Sequence, residues 1–230
     1  MEKFKPAIVE SLHTEVINSI ITAIATGKLE PGEKIVEQSI AKQMKISRAP
    51  VREAIRELAA QGIVEYTPRK GATVTSLDLK NVDEAYSLRG CLEAMAVSLA
   101  VDKFNAKEIK GLESLSKKMT KALKEKNVDE FIKYDVEFHS IIHQKSNHSK
   151  LQKLMSSLIL QTKLYMLMSK YSLLAHSSLD LEYGVHDKIV NAIKNRDKSE
   201  AEEEMKKHIT NSGETLIRFL KEKEVIEKEI

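Results

Sequence analysis

A mainly α-helical chain in two parts is predicted by three observations. First, two short amphipathic segments, Val36–Met44 and Ser47–Leu58, are joined only by Lys45-Ile46, and the second is rich in arginine. Second, two β-branched runs, 63–67 and 72–75, flank the turn Pro68-Arg69-Lys70-Gly71. Third, none of the four prolines lies beyond Pro68, so nothing prohibits helix from about Asn81 onward, where apolar residues recur at helical spacing. The expected architecture is an N-terminal winged helix-turn-helix over residues 1–78, followed by an all-α bundle of six or seven helices over 79–230.

The first helix is expected from Thr14 to Thr26, with Val16, Ile17, Ile20, Ile21 and Ile24 on its apolar side and Gly27 at its C-terminal end. Pro31-Gly32 marks the turn that follows. Val36, Ile40, Ala41 and Met44 then have the spacing of a short amphipathic helix. In the basic helix, Ser47 suits the N-cap, where its hydroxyl can accept from free backbone N–H groups. Pro50 falls in the first turn, where a missing N–H costs nothing. Val51, Ala54, Ile55 and Leu58 gather on one face, and Arg48, Arg52 and Arg56 on another. Such a helix can pack on a domain while Arg48 and Arg52 reach phosphates and guanine edges. Arg56 sits farther along and is expected to pair with Glu53 or Glu57. Gln61-Gly62 closes the helix, and the β-branched ribbon after it reads as a wing. Arg69 and Lys70 supply charge at its tip, and Gly71 allows close backbone approach. From Lys42 to Lys70 there are seven Lys/Arg and three Glu, although the whole chain carries only +3. The case for nucleic acid therefore rests on that local cluster.

Leu29–Ile35, Ser47–Ala54, Leu58–Val64 and Gly71–Val74 together resemble the winged-helix domain of GntR-type bacterial transcription regulators. The resemblance spans most of residues 10 to 76. It implies that Arg48 and Arg52 contact operator DNA, with Gly71 at the wing tip, and Ser47 and Ala49 flank Arg48 on that same surface. Ala49 stands where the family usually has threonine, which removes a hydroxyl contact.

Composition bounds the rest. With 42% hydrophobic and 31% charged residues, the chain has the make-up of a soluble globular protein. Cys91 is the single cysteine, which excludes an intrachain disulfide framework and suits a reducing cytosol. No apolar run approaches the ~20 residues of a membrane span, and the first residues lack a signal-peptide stretch. A cytoplasmic location is expected.

Helices in the second part are predicted near Val82–Val101, Ala106–Glu125, Val128–Lys145, Lys150–Lys170, Ser177–Lys194 and Lys198–Glu224. Asn105-Ala-Lys-Glu108 and Asp197-Lys-Ser-Glu200 have the form of capping boxes. The stretch Ser76–Lys80 reads as the junction.

Among the seven histidines, Asp135 and His139 are four apart on one predicted helix and share a face. The sequence midpoint of His186 and His208 is Asp197, in a predicted turn. Two helices folding back there would bring both rings to one height. One Asp and three His suit Zn²⁺, Ni²⁺, Mn²⁺ or Fe²⁺. His143, four further along the Asp135/His139 helix, is a rival ligand. Arg89 lies among Leu88, Leu92 and Ala96. It can hold a carboxylate bidentately, or pair between helices with Glu93 or another acid.

Arg89–Glu93, Asp135–Ile142, His186–Ile193 and Ala201–Ile209 resemble the effector domain of the FadR subgroup, called FCD. That resemblance implies a divalent metal on Asp135, His139, His186 and His208. It also implies Arg89 at an effector pocket for a small carboxylate, a homodimer on near-palindromic operator DNA, and ligand-released repression. Two alternatives use the same ligands: a sensor for which the ion itself is the signal, and a metal-dependent hydrolase. The hydrolase lacks a general base or nucleophile at a telling spacing.

Overall fold

The computed structural model describes residues 12–67, 69, 71–175 and 184–228. The chain divides after Ser76 into two units.

In the first unit, α1 (Leu12–Ala25) buries Val16, Ile20 and Ile24. It packs on α3 (Arg48–Ala60), which buries Val51, Ala54, Ile55 and Leu58. α1 stops because Gly27 turns to φ 72°. The amides of Gly27 and Lys28 then bond back to Ile24 and Ala23 at 3.1 and 2.8 Å. Between them, α2 (Glu37–Met44) ends at Lys45 in the left-handed region, φ 56°. The Ile46 amide bonds to the Ala41 carbonyl at 3.0 Å, closing the tight turn into α3. Ser47 occupies the N-cap with extended backbone, but its side chain makes no cap hydrogen bond. Its expected capping role is thus positional only.

Three antiparallel strands complete the unit in the order β1-β3-β2: β1 (Lys34–Ile35), β2 (Val64–Thr67) and β3 (Gly71–Val74). Val64 faces Val74 and Thr67 faces Gly71, so the ribbon is the expected hairpin. Ala72 and Val74 are buried and alternate with less buried neighbours, as a one-sided strand requires. β1 is an addition, pairing Lys34 with Thr73 and Ile35 with Ala72. Two residues carry no periodicity, so it was not expected.

The second unit is all α. Its described helices are α4 (Leu79–Ala100), α5 (Ala106–Lys124), α6 (Val128–Ser146), α7 (Ser149–Ala175), α8 (Val185–Asn195) and α9 (Lys198–Lys228). α4 starts three residues before the expected Val82, because the Asp78 side chain accepts from the Asn81 amide at 2.8 Å and caps it. The expected junction therefore overlaps helix. The Asn105–Glu108 capping box is complete in both directions. At Asp197 the side chain accepts from the Glu200 amide at 3.0 Å. α8 begins at Val185 after Gly184, and the expected helical start at 177 lies outside the described residues.

α4 runs through the core, packed against α9, α6 and α7, while α8 packs on α9 and α5. Ala96, Val97, Leu112, Phe138, Ile142, Met155, Ile189, Ile193, Met205 and Ile209 are buried in one cluster. Among the described residues no helix is long and apolar enough to cross a membrane.

Candidate DNA-binding face and candidate metal centre

Burial of Val51, Ala54, Ile55 and Leu58 leaves Ser47, Arg48, Ala49, Arg52 and Arg56 exposed on the opposite side of α3. Arg52 is not wholly free, although the sequence leaves the arginine face unpartnered. Its Nε and Nη2 both donate to Glu37 Oε2 at 3.2 Å. Glu57, one expected partner of Arg56, pairs instead with His13 at 3.0 Å. At the ribbon turn Arg69 is exposed with φ 68°, and Gly71 has φ 92°. A Cβ at Gly71 would meet only Lys34 Cε, at 3.7 Å. Backbone conformation, not crowding, is what favours glycine there. Lys70 lies outside the described residues.

In the second unit, α6 presents Asp135 and His139 on one face, and both are buried. α8 contributes His186 and α9 contributes His208, 2% and 3% exposed. The fold-back between α8 and α9 places these two rings 4.4 Å apart. Arg196, at φ 60°, makes that turn, and its guanidinium donates to the Val101 and Phe104 carbonyls. The turn is thereby tied to the end of α4.

Asp135 Oδ1 lies 3.2 Å from His186 Nε2, 3.6 Å from His139 Nε2 and 4.0 Å from His208 Nε2. One atom from each of the four residues lies within 4.8 Å of the others. Bond lengths of ~2.0–2.2 Å around a tetrahedral ion separate its ligand atoms by ~3.4 Å. The spacing is therefore close to what one ion requires. His139 Nε2 is buried and has no hydrogen-bond partner. An orphaned buried nitrogen facing a carboxylate and two imidazoles fits a divalent cation well. Phe138 closes one side, its ring edge-on to His186 at 4.9 Å.

Charges reinforce one another in this pocket. Burial opposes ionisation of Asp135, but His139 and His186 outweigh it and hold the carboxyl well below the usual range. Burial also opposes the charge on His139. Glu93 and Asp135 overcome that and push its pKa up to about 9. His186 is lowered by burial and by His208.

Arg89 is 4% exposed. Its Nε donates to Glu93 Oε1 at 3.2 Å and its Nη1 to Thr162 Oγ1 at 3.3 Å. The pair with Glu93 runs within α4 and not between helices. Glu93 also takes His143, the rival ligand, at 2.7 Å from Nε2. His143 is thus grouped with Glu93 and His139, not with the four that include Asp135. Glu93 and Thr162 are the two residues of this region that sequence reasoning missed as site members. Glu93 was visible as an Arg89 partner, but its proximity to α6 depends on tertiary packing.

Residues 12–74 match the bacterial regulatory proteins of the gntR family, and residues 84–211 match the FCD domain. The HTH-type transcriptional regulator YdhC of Bacillus subtilis is 33% identical over 156 residues, covering 67% of this chain and 70% of that protein. The gluconate operon transcriptional repressor of Bacillus subtilis is 30% identical over 178 residues, covering 76% and 73%. Among solved structures, Escherichia coli McbR/YncC superposes with a TM-score of 0.72 at 24% identity, over 90% of this chain and 98% of that one. These relatives are named as regulators, and the hydrolase alternative falls with that. The chain belongs to the gntR family of bacterial regulatory proteins and carries an FCD domain as its second part.

Proposed function

We infer that the chain is a repressor whose operator affinity is set by a small carboxylate held in the second unit beside a divalent metal. The observation that carries this is the buried group Asp135, His139, His186 and His208, with Arg89 one carboxylate away from His139. Those four residues would hold the ion, and the ion would supply a fixed positive centre for a carboxylate oxygen. Arg89 would take the other oxygen through its planar donors. The gluconate operon repressor, a relative, is named for control of a carboxylate operon, which supports that ligand class.

On the DNA side, Arg48 and Arg52 would bind phosphates and base edges beside Ser47 and Ala49. Arg69, Lys70 and Gly71 would meet the backbone next to them. A homodimer would present two α3 helices to successive major grooves. The ligand shifts DNA affinity only insofar as it binds one arrangement of the protein better than the other.

A specific observation favours a second reading, in which the ion is itself the signal. Arg89 already gives Nε to Glu93 and Nη1 to Thr162, so an organic carboxylate would meet a guanidinium whose charge Glu93 already balances. Operator mobility shifts separate the two readings. The carboxylate reading expects release of DNA by a small carboxylate only when metal is bound. Release or capture of DNA by Zn²⁺ or Ni²⁺ alone, with no organic ligand, selects the sensor instead.

A further inference from the structure

Glu93 sits at 0% exposure in the middle of α4, a costly place for a carboxylate. Arg89 alone would neutralise it, using Oε1. The other oxygen, Oε2, is engaged by two imidazoles from α6: His139 Nδ1 at 3.1 Å and His143 Nε2 at 2.7 Å. A plain core ion pair does not need those two histidines. One of them, His139, has its second nitrogen, Nε2, buried without a hydrogen-bond partner and 3.6 Å from Asp135.

We propose that Glu93 is the positioning carboxylate of the metal centre. By accepting from Nδ1–H of His139 it fixes the ring plane and the tautomer, so that Nε2 is the nitrogen presented to Asp135, His186 and His208. A histidine ligand whose other N–H is held by a carboxylate is both oriented and made a stronger donor. Arg89 and His143 hold Glu93 in turn, each through a separate contact. The inference rests on the reading of Asp135, His139, His186 and His208 as a metal site.

Glu93, His139 and His143 also have ligand-like spacing among themselves. A second ion there is disfavoured, because the Arg89 guanidinium on Glu93 Oε1 would face the added charge at close range. The expected stoichiometry is therefore one ion per chain.

Zn²⁺ affinity by chelator competition, compared between the wild type and Glu93→Gln, tests the assignment. The variant keeps the side-chain size and removes the charge. A loss of about 10- to 100-fold is expected. A second measurement needs no variant. Wild-type protein with ¹⁵N-labelled histidine is loaded with ¹¹³Cd²⁺, and metal–nitrogen couplings are read by NMR. His139 is expected to couple through Nε2 with Nδ1 protonated. Coupling through Nδ1, two ions per chain, or a Glu93→Gln affinity equal to wild type would overturn the role of Glu93 while leaving the metal site standing. Binding of neither Zn²⁺ nor Cd²⁺ by the wild type would overturn both.

Discussion

The Arg52–Glu37 pair is exposed, with side chains 53% and 27% accessible, and such pairs are worth about 0–1 kcal/mol. A phosphate or a guanine edge can take the guanidinium from Glu37 at little cost, so the contact does not oppose the DNA reading. Replacing Arg48 or Arg52 by alanine is expected to weaken operator binding by about 1–3 kcal/mol each, roughly 5- to 150-fold. Effector and metal binding should be unchanged. Fluorescence anisotropy with a labelled operator measures this, and wild-type affinity in Arg52→Ala would remove that residue from the interface. A pH prediction belongs to His139. In chelator-treated protein its pKa is raised from 6.5 to about 9. A raised histidine pKa stabilises the fold fully below about pH 6.5, and that stabilisation is lost as pH rises to about 9. His186, whose pKa is lowered, is already neutral in that window. The Tm of the chelated protein should therefore fall between pH 6.5 and 9. Bound metal takes the place of the Nε2 proton and should suppress the fall. A Tm that is flat or rising across the window in the chelated protein would contradict the charge arrangement around His139.

Elements differ in how legible they are. α3 was readable because caps, proline placement and a period of 3.6 all agree over one segment. The β2–β3 ribbon was readable from β-branched runs around a glycine turn. β1 was not, since a two-residue strand exists only because β3 offers it an edge. Ser47 stood at the N-cap as its residue type suggests, yet its hydroxyl caps nothing, because occupancy of that position does not fix the side-chain rotamer. The symmetric placement of His186 and His208 about Asp197 was enough to bring their rings together across the α8–α9 hairpin. Glu93 could not be found that way, since its meeting with α6 depends on how α4 and α6 pack. The packing of α4 on α9 makes its own prediction. A Cβ at Gly213 would lie 2.7 Å from Tyr86 Cβ and 2.9 Å from Cγ. Neither atom is the far end of a flexible side chain, so one helix must shift. Gly213→Ala is expected to destabilise the second unit by about 1–3 kcal/mol in urea unfolding. A stabilising effect, as an ordinary helical Gly→Ala change would give, would show that α4 and α9 pack less closely than the structure has them.

At the scale of the whole molecule, one unit carries an arginine face and the other carries a buried group of one Asp and three His drawn from three helices. An ion held by that group would tie α6, α8 and α9 together and, bound only by the folded chain, should stabilise it in proportion to its affinity. Removing metal is expected to lower the Tm, and the His186→Ala/His208→Ala double variant should lose the difference between loaded and chelated protein. Metal content tests the Asp135, His139, His186 and His208 site most directly. The protein is purified without chelators, and the wild type is compared with that double variant. One divalent transition-metal ion per wild-type chain and none in the variant is the expected result. A wild type that takes up no ion, even after addition of Zn²⁺, Ni²⁺ and Mn²⁺, would contradict it and leave only the DNA-binding assignment.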